Sequence, residues 1–202
     1  MTLEEDRTPF DWETRFRDDD TPWERGALHP AFLHWREAKA FRPGERVLIP
    51  GCGRSQELLA FANAGLTVTG ADLSETAIAW QSEQFAAAGQ RGDLVTGDVL
   101  AWQPGTPLDL VYEQTFLCAI HPRLREAYES ALTRWLRPGG RLHALFMQKD
   151  ERGGPPYGCP INVMHDLFPE TRWIWPADDE IQPWPHPRLN GKPELGAVLI
   201  RR

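Results

Sequence analysis

Arg46-Val-Leu-Ile-Pro-Gly-Cys-Gly-Arg-Ser55 is the stretch that decides the fold. Its first half is a short apolar run and reads as a buried strand. Its second half is a Gly-Cys-Gly turn. Glycines at 51 and 53 let the backbone take positive φ and come close to a ligand. The amphipathic pattern over 56–64 then predicts a helix, with Gly65 where a C-cap glycine belongs. The free N–H groups and positive dipole end of that helix face the turn. Strand, glycine turn and helix together form the opening unit of a doubly wound α/β sheet.

The same alternation continues outward. Residues 67–72 read as a second strand. Ser74 is an N-cap for a helix running to about Ala88. Strands are predicted over 94–97, ending at Asp98, and over 108–112. A helix over 122–136 is stopped by Pro138-Gly139-Gly140, and a fifth strand covers 141–147. Such alternation implies right-handed βαβ units and a mostly parallel sheet. Upstream, Trp12 and Phe16 are spaced i, i+4 and share one face of a short helix. A second helix spans 30–40. Downstream, 153–160 is a Gly/Pro loop and 162–168 a short helix. Strands over 172–175 and 196–201, split by proline-rich 183–187, are expected to form an antiparallel hairpin at the sheet edge.

Bulk properties narrow the function. A chain of 202 residues fits one domain, read here as 1–202. The net charge is −7 and the Lys and Arg residues are scattered, which argues against nucleic acid and for a small-molecule substrate. No apolar run is long enough to span a bilayer, so no membrane partner is expected. The acidic, polar residues 1–20 lack the apolar core of a signal peptide, which points to the cytoplasm. The three cysteines, Cys52, Cys118 and Cys159, have no pair-like spacing and no zinc pattern, so neither a disulfide framework nor a metal is expected. No dimerisation stripe is visible, which favours a monomer.

Three features fall at successive strand ends, where open α/β sheets bind ligands. The first is the Gly51–Gly53 turn. It breaks the dinucleotide GxGxxG pattern, because Gln56 occupies the third glycine position; by itself it is equally a tight strand-to-helix turn. The second is Asp72, placed to accept from two ribose hydroxyls or, alternatively, to cap the next helix. The third is Asp98, an acceptor for an adenine amino group or an ordinary turn residue. Without the third glycine a pyrophosphate is disfavoured. S-adenosylmethionine, with a carboxylate, an ammonium and a sulfonium and no phosphate, suits the pattern better.

The chain resembles the thiopurine S-methyltransferase family, and within it the thiol, thiocyanate and halide methyltransferase branch. The resemblance rests on Trp12-Glu-Thr-Arg-Phe16, Thr21-Pro-Trp-Glu-Arg-Gly26, Val47-Leu-Ile-Pro-Gly-Cys-Gly53, Val68-Thr-Gly-Ala-Asp-Leu-Ser74, Thr115-Phe-Leu-Cys-Ala-Ile120 and Gly153-Gly-Pro-Pro-Tyr157. It implies a seven-stranded, Rossmann-like S-adenosylmethionine-dependent methyltransferase core over 45–202, with 1–40 as a helical lid. Trp12, Phe16 and Trp23 would lie over the cofactor, Phe16 standing where the family more often has tryptophan. Gly51 would meet the methionine end, Asp72 the ribose, and Asp98 with Val99 the adenine, with Gly53 and Leu73 as further cofactor contacts. Gln114 falls where the branch often has a cofactor-side tyrosine. His121 stands where plant members tend to carry glutamate, and Tyr157 would face the acceptor. Each also has a plainer reading: Trp12 and Phe16 as a packing staple, His121 as a helix-start residue, Tyr157 as a loop anchor. Cys52 and Cys118 are read as packing residues.

The implied reaction moves the sulfonium methyl in line to a soft nucleophile, leaving S-adenosylhomocysteine. Alignment is the protein's main contribution. A neutral thiol must first lose a proton, for which His121 or a water is the candidate. The rival readings are an oxygen- or nitrogen-directed methyltransferase, a nicotinamide oxidoreductase and a non-catalytic cofactor-binding protein.

Overall fold

The computed structural model describes residues 10–186 and 192–202; residues 1–9 of the expected lid and Pro187 of the proline-rich stretch lie outside them. The elements are α1 (Trp12–Arg17), α2 (Pro30–Glu37), β1 (Arg46–Pro50), α3 (Glu57–Asn63), β2 (Thr67–Asp72), α4 (Glu75–Ala87), β3 (Asp93–Thr96), β4 (Leu108–Glu113), α5 (Phe116–Ala119), α6 (Arg125–Trp135), β5 (Leu136–Met147), α7 (Ile161–Leu167), β6 (Trp173–Ile174), β7 (Gln182–Pro185) and β8 (Pro193–Arg201). They build one mixed sheet in the order β3-β2-β1-β4-β5-β8-β6, with β7 also paired to β8. β1 to β5 pair in parallel, and β8 runs antiparallel to β5.

The order reverses between β1 and β4. The chain steps outward through β2 and β3, then returns to lay β4 on the other side of β1. The loops after β1 and β4 therefore diverge and leave a crevice at the carboxyl ends of the strands.

Among the described residues the sheet has eight strands, one more than expected. The extra strand is the proline-rich segment itself. β6 and β7 lie one after the other along the outer edge of β8: Trp173 and Ile174 face Arg201 and Ile200, while Gln182 to Pro185 face Gly196 to Pro193. Proline is tolerated there because an edge strand needs only one row of donors. A second departure is at Pro138-Gly139-Gly140. β5 starts at Leu136, directly after α6, and takes this tripeptide into the strand through a register shift opposite Leu108 and Leu110. The glycines make a bulge rather than a stop. The helix expected over 122–136 divides into a 3₁₀ turn, Pro122–Leu124, and α6.

Both faces of the sheet are covered, so its central strands read as continuous apolar runs. Successive residues still point to opposite sides. Val47 and Ile49 pack with Phe32, Trp35, Leu58 and Phe61 on the α2/α3 face. Leu48 and Val111 pack with Leu132, Trp135, Phe146 and Trp173 on the α6 face. His143 of β5 is buried between the rings of Trp35 and Phe41, at 4.8 and 5.1 Å; burial pushes its pKa down to about 3 and keeps it neutral. Among the described residues no helix is long and apolar enough to cross a membrane.

Candidate cofactor and acceptor site

The crevice opens into a cavity of about 550 Å³. That is an ordinary size for a small-molecule site. Trp12, Phe16, Trp23, Gly51, Gly53, Asp72, Leu73, Asp98, Val99 and Gln114 all lie on its wall. His121 and Tyr157 do not, although their neighbours Ile120 and Pro156 do.

The turn after β1 is shaped by close packing. Gly51 has φ +56°, and a Cβ there would sit 2.7 Å from the ring of Phe116. Gly53 has φ +46°, and its Cβ would come within 3.0 Å of Phe16. Both positions need glycine, for backbone conformation and for space. Asp72 closes the turn from the neighbouring strand: Oδ2 accepts from the Gly53 N–H at 2.8 Å and Oδ1 from the Ser74 N–H at 2.9 Å. Burial pushes this carboxyl up, and the two N–H groups pull it back. The helix cap is Ser74, whose Oγ accepts from Ala77 N–H. Asp72 is thus a turn-holding carboxylate whose oxygens keep further lone pairs for a ligand. Asp98 caps the 3₁₀ turn Val99–Ala101 through Leu100 N–H at 2.9 Å.

α1 lies over this turn. Trp23 meets Trp12 and Phe16 edge-on, at 5.4 and 5.8 Å between centroids. Polar clasps fix the segment. Glu13 accepts from Ser74 Oγ, Thr76 Oγ1 and Thr76 N–H at 2.6, 2.5 and 3.2 Å. Arg54 donates to Asp19 and to the Phe16 carbonyl, both at 2.7 Å. Gln56, the residue in place of the third glycine, donates to the Gly26 carbonyl at 2.8 Å. No glycine could make that tether.

The part of the wall beyond β4 is mostly apolar: Phe116, Cys118, Ile120, Leu124, Met147, Pro155 and Pro156. Its frame is α5, a helix that the sequence reading does not anticipate. Glu113, fully buried at the end of β4, holds the start of α5 through the Phe116 and Leu117 N–H groups, at 2.8 and 3.0 Å, and accepts from Tyr128 Oη at 2.8 Å. The loop bearing Pro155 and Pro156 is stapled to α5 by Tyr157 N–H to the Cys118 carbonyl, 2.7 Å. Tyr112 donates to Gln114 Oε1 at 3.1 Å, which leaves the Gln114 amide nitrogen as its donor end. The His121 ring packs on Tyr157 at 5.5 Å, and its Nδ1 accepts from Arg123 N–H at 3.2 Å. Cys118 is buried, and burial pushes its thiol up, away from a nucleophilic thiolate.

Residues missed at first also lie on the wall: Glu24, Arg25, Glu57 and His186. Arg25 falls inside a segment recognised for other reasons, and His186 sits just before the residues left undescribed.

The chain is similar to proteins of one family and to solved structures of the same fold. The profile of the Thiopurine S-methyltransferase (TPMT) family matches residues 7–177. Thiocyanate methyltransferase 1 of Arabidopsis thaliana is 30% identical over 188 residues, covering 92% of this chain and 82% of its own. Probable thiol methyltransferase 2 of the same plant is 34% identical over 154 residues, 75% and 68% of the two chains. Among solved structures, the 1,6-didemethyltoxoflavin-N1-methyltransferase of Burkholderia thailandensis, with S-adenosylhomocysteine bound, superposes at a TM-score of 0.76, 21% identity, over 93% of this chain and 84% of its own. The fold and the crevice define the class of S-adenosylmethionine-dependent methyltransferases. Within that class the chain belongs to the thiopurine S-methyltransferase family.

Proposed function

We propose that this chain, acting as one domain, transfers a methyl group from S-adenosylmethionine to a small soft nucleophile: a thiol, thiocyanate, halide or thiopurine sulfur. The carrying observation is that one cavity joins the Gly51–Gly53 turn and its strand-end acids to an apolar wall of Ile120, Leu124, Pro155 and Pro156. The cofactor supplies a methyl on a sulfonium, already a good leaving group.

The residues of the chain bind and orient. Gly51 and Gly53 accommodate the methionine end, Asp72 and Leu73 the ribose, and Asp98 and Val99 the adenine. Trp12, Phe16 and Trp23 cover them and exclude water. The apolar wall strips water from the nucleophile while Gln114 and Phe116 bound the line of attack. Anionic acceptors need no base. For a neutral thiol, His121 is the candidate proton acceptor, which requires its Nδ1 to release the Arg123 N–H. Tyr157 positions both that ring and the Pro155-Pro156 loop. In His121→Ala the pH profile of thiol methylation is expected to shift; an unchanged profile removes His121 from the reaction.

Incubation with labelled cofactor and a panel of thiols, thiocyanate, halides, thiopurines, phenols and amines tests the whole reading. Transfer to sulfur or halide is expected. Transfer confined to the phenols or amines refutes it. The three buried, unpaired cysteines suit a reducing compartment, in line with a cytoplasmic location.

A further inference from the structure

Two arginines lie on the cavity wall, Arg25 and Arg54. Arg54 is engaged behind the lid by Asp19 and the Phe16 carbonyl, with Glu24 at 4.0 Å. Arg25 is different. Among the described residues its one hydrogen-bond partner is Glu194 Oε2, at 2.7 Å from Nη2. A guanidinium carries five N–H donors in a rigid fork, so that bond leaves capacity for a ligand.

The support behind Arg25 is buried and aligned. Glu194 is 1% exposed and His29 0%. His29 Nδ1 accepts from Ala31 N–H at 3.0 Å, so the neutral ring carries its proton on Nε2 and donates it to the same Glu194 oxygen at 3.1 Å. The carboxylate is thereby held in one orientation and fixes the fork. The segment is also pinned against the cofactor turn. Gln56 holds the Gly26 carbonyl, and Glu57 accepts from His29 N–H at 2.7 Å and from Ser55 Oγ at 2.6 Å.

Besides Arg25 and the engaged Arg54, this wall carries the acids Glu24, Glu57, Asp72 and Asp98. An entering carboxylate meets repulsion there unless a fixed cation faces it. A buried ion pair by itself is weak evidence for a role in stability. We infer that Arg25, positioned by Glu194 and His29, binds the carboxylate at the amino-acid end of the cofactor. The inference rests on the cofactor reading above.

Calorimetric titration separates the possibilities, using S-adenosylhomocysteine and its decarboxylated analogue, which keeps the amine, thioether and adenosine. Arg25→Gln should weaken S-adenosylhomocysteine by about tenfold or more, and leave the decarboxylated analogue within about twofold. Unchanged binding of the analogue also shows that the variant folds. Arg25→Lys should restore part of the loss. Equal weakening of both ligands, or no change for S-adenosylhomocysteine, overturns the assignment. A raised KM for thiocyanate with S-adenosylhomocysteine affinity intact also overturns it, by moving the anion to the acceptor. Failure of the unaltered protein to bind either ligand sinks the cofactor reading itself, before any variant is made.

Discussion

Two carboxylates end neighbouring parts of the sheet, and each holds two backbone N–H groups. Asp72 ends β2 and ties the cofactor turn through Gly53 and Ser74. Glu113 ends β4 and ties the acceptor wall through Phe116 and Leu117. The first lies on the cavity wall; the second is sealed from it and takes a third bond from Tyr128. Burial lifts both carboxyls, and Glu113 reaches about 7. Similar local chemistry thus faces the cavity in one half and holds a buried frame in the other. What distinguishes them is access to the cavity, not residue type.

Removing each carboxylate should break the comparison in a different observable. Asp72→Ala should produce the largest effect, a loss of S-adenosylhomocysteine affinity of roughly 1,000-fold by calorimetry, about 4 kcal/mol, because ligand and turn lose the same acceptor. A loss under about tenfold would make Asp72 a turn residue only. Glu113→Gln should leave that affinity within about threefold and instead change the pH dependence of stability. A carboxyl whose folded pKa is raised from 4.5 to about 7 binds its proton better in the folded chain. Its stabilising contribution is full below pH 4.5 and is lost as pH rises through 7. The loss is about 3 kcal/mol, which denaturant unfolding between pH 4.5 and 8 should show in the unaltered protein and miss in Glu113→Gln. The smallest effect belongs to the lid. Glu13→Ala removes the clasp to Ser74 and Thr76 and should weaken S-adenosylhomocysteine by about fivefold, through faster dissociation in stopped-flow measurements. An unchanged dissociation rate would detach the lid from cofactor retention.

The two halves were also unequally legible. β1 and β2 lie where the apolar runs put them, and Ser74 caps α4 as read, because each of those elements is set by neighbours within a few residues. The acceptor half is assembled across the chain. Tyr128 meets Glu113 across 15 positions, and the Tyr157 loop is fixed to α5 by a backbone bond to the Cys118 carbonyl. α5 is a single turn, and no periodicity shows over four residues. Pro138-Gly139-Gly140 misled for a related reason. Proline and glycine mark a break in local propensity, and only pairing with β4 and β8 shows that the break is a bulge inside a strand. Within the site, the acids at strand ends were visible because topology brings strand ends together. Glu113 also ends a strand, but its role was not legible because the helix whose N–H groups it holds was not foreseen.

The proline-bearing β7 closes its stretch of the sheet edge against further growth. His186 donates its N–H to the Lys192 carbonyl, on the β8 side. By strand alternation Gln182 and Trp184 turn the same way, and Pro183 and Pro185 turn their backbone nitrogens outward. An outer rim that should present amide donors at these positions therefore has none. A second chain seeking to add a strand would find carbonyls without their complementary donors, which is a standard defence against edge-to-edge aggregation. The same prolines that obscured β7 in the sequence make it a poor template for anything else.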